Sequence, residues 1–466
     1  MLLILRDITK SIFIKNDLIY LFIKMCTPFK HYKEFEDMPL FQTGTEKSIQ
    51  ILQGILEYGF ETPSEIQQTA IVPLCEGRSL IAQAQSGTGK TGTFVIGSLD
   101  KVDMSCNNVQ VIIVTPVHEL AIQTYHVLIE IGRRLLTEEN VELCIGKQTT
   151  VEQNIVNINS GKIKVLIGTP GRILHLIKHQ LKTKSLITRN FVKLLILDEA
   201  DRLLSDKSAN EVIEIVERLD DPRERKDTLQ LGIFSATFNK EETLDTARAL
   251  CLPEYDTLRQ EGKDWTTHKY APVQILLEPA QLSLDGIAQY YYEIECDNER
   301  NAFEDKVAFI DALNAEHIIP VCMIYVNTAN TAERLRDELN SRGMACECIY
   351  GNMQPKQRLE VTRSFRKLET KILISTDLLA RGFDVQQIVL VINFDLPYVH
   401  DRRMGNVNPD KVADYLHRIG RSGRFGRKGV SINLVATTAD MERMKIIEKY
   451  YDIKVEPLPD DISDLY

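Results

Sequence analysis

The sequence predicts an α/β protein of two tandem domains, each a parallel sheet flanked by helices. Three observations carry this. Short apolar, β-branched runs alternate with helical periodicity, the signature of βαβ units. The runs have no polar alternation, as befits strands covered on both faces. They fall into two separate series, and 466 residues at 44% hydrophobic composition are enough for two cores.

The elements follow in order. Residues 1–34 form an N-terminal extension, in which Arg6, Lys10, Lys15 and Lys24 interrupt every apolar cluster. No run reaches the ~18 residues of a membrane span, and no cleavage pattern follows, so a dispensable extension is expected, with Met25 an equally good start. Residues 35–251 hold the first series: SLIAQA, VQVIIVTP, IKVLIGTP, KLLILDEAD and QLGIFSAT. Residues 252–283 are polar and weakly periodic, a linker with an inserted loop that carries the only tryptophan, Trp265. Residues 284–466 hold the second series: PVCMIYVNT, ACECIYGN, TKILISTD, IVLVINFDLP and VSINLVAT.

A net charge of -10 and a pI of about 5.6 exclude a uniformly basic nucleic-acid-coating protein, so any such site is confined to a groove. The nine cysteines include no C-x-x-C pair, which argues against a zinc site or a disulfide framework and for reduced thiols.

Two motifs carry chemistry. After SLIAQA comes AQSGTGKT, residues 84–91. Ser86, Gly87, Thr88 and Gly89 form a loop whose N–H groups can cradle phosphates, Lys90 supplies a cation, and Thr91 offers a hydroxyl to Mg²⁺. Ala84 stands where the usual motif has glycine. The second motif is the acidic end of KLLILDEAD, where a buried strand delivers Asp198 as the Mg²⁺ anchor and Glu199 as the base for the attacking water.

The string DEAD at 198–201, downstream of AQSGTGKT and followed by SAT at 235–237 and HRIGRSGR at 417–424, resembles the DEAD-box RNA helicases. That resemblance runs in motif order from about residue 35 to the C-terminus. It implies two RecA-like domains with a cleft between them, ATP and Mg²⁺ as cofactors, and RNA as partner. FETPSEIQ at 60–67 looks like the family's adenine-reading segment, with Gln67 bonding the base through its amide. Phe41 has nearly the spacing of the aromatic stacked on adenine, although Phe35 lies in the better-matching FEDMPL; Phe60 is read as packing. Across the cleft, Asp384 of RGFD matches the ribose contact, and Arg421 and Arg424 match arginine fingers that reach the γ-phosphate only on closure. Ser235 and Thr237, with Asp201 and His417, resemble the residues coupling hydrolysis to RNA opening.

RNA contacts are expected on phosphate and sugar, without sequence specificity. The resemblance assigns them to Pro116, to Thr169, Pro170, Gly171 and Arg172 of TPGR, and to Thr376, Arg381 and Gly382 in the second domain. Three positions depart from the family pattern: His118 in TPVHEL, IGK at 145–147 in place of paired glycines, and the glutamine of NMQPKQR at Gln354.

The implied function is an ATP-dependent helicase that binds single-stranded RNA, hydrolyses ATP on domain closure and opens short duplexes or remodels RNA–protein complexes. An ATP-gated RNA clamp with little unwinding is the alternative. VINFDLPYVHDRRMGNVNPDKVADYLHRIGR resembles the nuclear-pore messenger-RNA export branch, whereas IAQAQSGTGKT and the ending YYDIKVEPLPDDISDLY resemble the translation-initiation branch. Export is slightly favoured, which implies nuclear-pore or translation-factor partners, a cytoplasmic or nuclear location that includes the pore, no membrane, and a monomer.

Overall fold

Neighbouring strands run parallel throughout, in two sheets of seven strands each among the described residues. The structure is a computed structural model that describes residues 31–84, 87–146, 149–181, 185–205, 208–220, 229–238, 241–276, 287–294, 301–316, 319–377, 388–399, 407–422 and 429–459. Of the expected site residues, Ser86, Arg381, Gly382, Asp384 and Arg424 lie outside these, as does most of the N-terminal extension.

The first sheet comprises β1 (Leu80–Gln83), β2 (Val111–Val114), β3 (Val141–Cys144), β4 (Val165–Gly168), β5 (Leu194–Asp198), β6 (Gln230–Ser235) and β7 (Val273–Ile275). The second comprises β8 (Ile287–Glu293), β9 (Cys322–Tyr325), β10 (Cys346–Ile349), β11 (Ile372–Ser375), β12 (Leu390–Asn393), β13 (Gly429–Val435) and β14 (Glu456–Pro457). Their spatial orders, β3-β4-β2-β5-β6-β1-β7 and β10-β11-β9-β12-β13-β8-β14, are the same order displaced by seven strands. The chain is a structural duplication of one RecA-like unit.

Burial explains the continuous apolar runs. Every residue of β5 is buried; Leu194 and Ile196 pack into the core on one face of the sheet, Leu195 and Leu197 into the core on the other. Each fully buried Leu or Ile contributes about 1.5–3 kcal/mol, so a polar residue in mid-strand would be costly on either face. The second sheet is covered on both sides in the same way.

Helices that carry or brace site residues are α1 (Glu65–Cys75), α2 (Lys90–Lys101), α3 (His118–Gly132), α4 (Pro170–Lys178), α5 (Pro355–Arg366) and α6 (Pro409–Ile419). Because strands are parallel, their carboxyl ends share one sheet edge, where ligands bind in such folds. In the first sheet β1, β6 and β5 are adjacent, with Gln83 opposite Ser235 and Phe234 opposite Asp198. Three motifs far apart in sequence therefore meet at one place.

The stretch expected to be a linker from 252 departs from that reading. Tyr255–Gln260 is helical, and Val273–Ile275 joins the first sheet beside the strand of the phosphate loop. The inserted loop is pinned at Asp245: Tyr255 Oη donates to its Oδ1 at 2.6 Å, Arg248 lies 3.0 Å from the same oxygen, and Arg259 pairs with the other oxygen, Oδ2. Trp265 packs edge-on against Tyr255 at 5.1 Å between ring centroids. At the other end, Tyr32 is already buried in the first core, inside the span expected to be an extension.

Candidate active site

The phosphate loop leaves β1 at Ala84 and enters α2 at Lys90. Gly87 and Gly89 have φ of +81° and +104°, conformations that L side chains rarely adopt. Ala84 is not among the described residues with positive φ, so the departure from glycine there carries no backbone strain. Its carbonyl accepts from Lys90 Nζ at 2.5 Å, and this buried ammonium is held over the loop.

Gln67 is buried against the same loop. Its Oε1 accepts from the Ser64 N–H at 2.9 Å, capping α1, and its Nε2 faces the Gly89 carbonyl at 3.5 Å. Both ends of the amide are engaged within the protein, and a bidentate base contact would draw on these atoms. Phe41 and Phe35 are buried in the core. Phe60 is the partly exposed ring beside the loop: a Cβ added at Gly92 would come within 2.7 Å of both Phe60 Cε2 and Gln67 Nε2. Phe35 stacks behind Phe60, centroids 6.5 Å apart.

At the end of β5, Asp198 and Glu199 are both buried, and Glu199 takes a left-handed backbone with φ of +51°. Such a conformation costs a non-glycine residue about 1–2 kcal/mol. It turns the chain at once from strand into the helix Ala200–Ser205. The Glu199 N–H donates to Asp198 Oδ1 at 3.0 Å, and Glu199 Oε2 is buried with no hydrogen-bond partner among the described residues. Burial and then the neighbouring Glu199 charge raise the Asp198 carboxyl well above the usual carboxylate range, against the pull of Lys90.

The four expected coupling residues come together. Ser235 Oγ donates to Asp201 Oδ1 at 2.8 Å, and Thr237 Oγ1 donates to Asp201 Oδ2 at 3.0 Å. From the second unit, His417 Nε2 lies 3.8 Å from the same Asp201 Oδ2. Arg421 is fully buried beneath it, its Nε donating to the His417 carbonyl at 3.0 Å.

The expected RNA residues that are described follow the carboxyl ends of strands in the two sheets. Pro116 follows β2, Thr169 caps α4 after β4, with buried Pro170 and exposed Gly171 next, and Thr376 follows β11 in the second unit. Arg172 is engaged inside the first unit, its Nη1 donating to Thr149 O at 2.9 Å and Asn154 Oδ1 at 2.7 Å. His118 and the Ile145–Gly146 turn, two of the departures, are neighbours, with His118 Cε1 3.6 Å from where a Cβ at Gly146 would stand.

Two features escaped sequence reading. Glu119 pairs with Arg358 of α5 at 3.0 Å, a second bridge between the units. Arg418 is fully buried and holds Asp377, the neighbour of Thr376, at 2.6 Å. Glu119 sits inside TPVHEL, Arg358 inside NMQPKQR and Arg418 inside HRIGRSGR, but nothing in one sequence pairs residues so far apart.

A phosphate loop and an acidic strand end, faced by a second copy of the same fold, define a two-domain nucleoside triphosphatase. Comparison with known proteins narrows the class. The DEAD/DEAH box helicase model matches residues 64–246, and the helicase conserved C-terminal domain matches 305–426. The chain is 38% identical over 417 residues to the ATP-dependent RNA helicase FAL1 of Candida glabrata, covering 89% of this chain and 92% of that one. It is 39% identical to eukaryotic initiation factor 4A-1 of Arabidopsis thaliana, covering 89% and 88%. The solved structure of S. cerevisiae Dbp5 bound to RNA and ADP BeF3 superposes with a TM-score of 0.71 at 30% identity, covering 93% of this chain and 97% of that one.

The chain belongs to the DEAD-box family of ATP-dependent RNA helicases. No helix among the described residues is long and apolar enough to cross a membrane.

Proposed function

We propose that this helicase binds single-stranded RNA across the carboxyl edges of both sheets, hydrolyses ATP when the units close, and opens short duplexes locally. The observation that carries the reading is Asp201. It accepts from Ser235 and Thr237 in the first unit and meets His417 of the second at 3.8 Å, so the acidic motif, the coupling segment and the arginine helix share one buried junction.

Lys90 and the Gly87–Gly89 backbone bind the phosphates of ATP, and Gln67 selects adenine by exchanging its internal bonds for the base. A closing aromatic is supplied at this edge by Phe60, whose partial exposure suits stacking better than buried Phe41. Mg²⁺ fits the donor set. Asp198 and Thr91 would hold it, where it supplies charge neutralisation at the phosphates. Mg²⁺ is usually held by one or two carboxylates together with phosphate oxygens and water. Glu199, with one buried carboxylate oxygen unpartnered among the described residues, takes the proton from the attacking water. Arg421 and Arg424 balance charge developing on the γ-phosphate. Asp384 holds the ribose, and Pro116, Thr169, Gly171, Arg172, Thr376, Arg381 and Gly382 hold the RNA backbone.

For the cellular role, 39% identity to a translation initiation factor supports translation, and 30% identity to Dbp5, whose solved complexes include Gle1 and Nup159, supports export. The first is the stronger likeness, and we place the protein on the translation side. Strand displacement tests the activity itself. A short RNA duplex with a single-stranded tail should separate with ATP and not with a non-hydrolysable analogue; RNA retention without separation would establish the clamp instead.

A further inference from the structure

The second sheet carries a row of polar residues at a level where an apolar core is expected. Ser375, Tyr325, Asn393, Asn433 and Tyr291 are register partners on adjacent strands. Asn393 and Asn433 are fully buried, and their amides bond to each other, Asn393 Nδ2 to Asn433 Oδ1, at 2.8 Å.

The pair is the centre of a chain of hydrogen bonds that runs across the unit. On one side, Asn433 Nδ2 lies 2.9 Å from the Tyr290 carbonyl and 3.2 Å from Tyr415 Oη, whose hydroxyl donates to Gln289 Oε1 at 2.9 Å. On the other side, Arg418 Nη1 lies 3.4 Å from Asn393 Oδ1 and 2.6 Å from the Asp395 carbonyl. The same guanidinium donates through Nη2 to Asn327 Oδ1 at 2.9 Å and through Nε to Asp377 Oδ1 at 2.6 Å.

Tyr415 and Arg418 both project from α6, and each meets one asparagine of the sheet. Buried polar groups of this kind contribute little net stability, but each is costly if left unpaired, at about 1–3 kcal/mol. Sliding or rotating α6 by one residue would break the bonds that Tyr415 and Arg418 make to the sheet together, leaving a buried phenol and a buried guanidinium out of place while the two amides keep each other. The helix therefore has one permitted seat. His417, between Tyr415 and Arg418 in sequence, reaches Asp201, and the helix ends at Ile419, two residues before Arg421.

We infer that Asn393 and Asn433 are positioning residues for hydrolysis: a sheet-borne amide pair that seats α6 through Tyr415 and Arg418, so that His417 and Arg421 meet the first unit in register. Through Asp377 the same chain fixes the strand end that presents Thr376. The inference rests on the roles proposed above for His417 and Arg421.

The test is Tyr415→Phe, which removes one hydroxyl and keeps the ring, assayed beside Arg421→Lys in RNA-stimulated ATP hydrolysis. Turnover is read on protein shown to be folded by circular dichroism, below its unfolding midpoint. For Tyr415→Phe, kcat should fall about tenfold, as small misplacements of reacting groups can cause, with KM for ATP and RNA affinity unchanged. Asn433→Leu, which strips the amide on the sheet side, should give the same split between kcat and KM. Unchanged kcat in both, or a lowered unfolding midpoint with kcat intact, would overturn the inference. If Arg421→Lys itself retains turnover, the role of Arg421 fails rather than the seating of the helix.

Discussion

Glu119 Oε1 and Arg358 Nη1 meet at 3.0 Å across the boundary between the two units, with side chains only 15% and 12% exposed. Glu119 lies in the first turn of α3, next to His118, and Arg358 lies on α5 after Gln354, so each is tied to a segment where this chain departs from the family pattern. Breaking one partner leaves a poorly solvated charge. Partial exposure moderates the penalty to about 1–2 kcal/mol, or roughly tenfold in an equilibrium. Arg358→Glu and Glu119→Arg should each lower RNA-stimulated hydrolysis by about that factor, and the double exchange should restore most of it. A double variant as poor as the singles would remove the bridge from the closure mechanism.

Asp198 predicts a trade between stability and activity. Its folded carboxyl is raised, first by burial and then by Glu199, so the native state holds a proton that the unfolded chain releases. Stability from this group is full below the ordinary carboxylate range and is lost as pH rises through the raised value. Asp198→Asn should therefore stabilise the nucleotide-free protein at pH 8 by about 1–2 kcal/mol, as relief of active-site strain commonly does, while abolishing turnover. Thermal unfolding at pH 5 and pH 8 checks this: the gain should be larger at pH 8.

Gly89→Ala should abolish nucleotide binding without unfolding the protein. Its Cβ would stand 2.7 Å from Ser64 Oγ and 2.9 Å from Gln67 Nε2, at a φ of +104°. Fluorescent nucleotide titration reads the loss; retained affinity would mean that the loop and Gln67 do not act together.

Ser235→Ala with Thr237→Ala removes both hydroxyls that bond Asp201 and leaves Lys90, Asp198 and Glu199 untouched. Hydrolysis should stay within about threefold, since no group at the reacting phosphate is lost, while strand displacement falls below detection. Parallel loss of both would make the cluster structural.

What could be read from the sequence was whatever local pattern dictates. The unbroken apolar run of β5 announced a strand buried on both faces, and the glycines of AQSGTGKT announced a loop whose N–H groups can cradle phosphates; the structure adds that Gly87 and Gly89 have positive φ. Asp201, Ser235 and Thr237 were assigned together from motif order, and they do lie within hydrogen-bonding distance. What remained hidden depends on tertiary pairing. Val273–Ile275 is three residues long with a central Gln, too short for periodicity, yet it completes the edge of the first sheet beside β1. Phe60, read as packing, does pack against the first core and on Phe35, and its partly exposed ring also stands beside Gln67. The engagement of Gln67 as a helix cap is equally invisible until Ser64 is seen beside it.

The most direct test of the account is steady-state ATP hydrolysis with and without single-stranded RNA, for the wild-type chain and Glu199→Gln. Strong stimulation by RNA should appear in the wild type and fall by at least about a hundredfold in the variant, the usual scale for a lost general base, with ATP and RNA binding retained. Hydrolysis indifferent to RNA, or a variant that turns over normally, would contradict an RNA-closed active site built on Glu199.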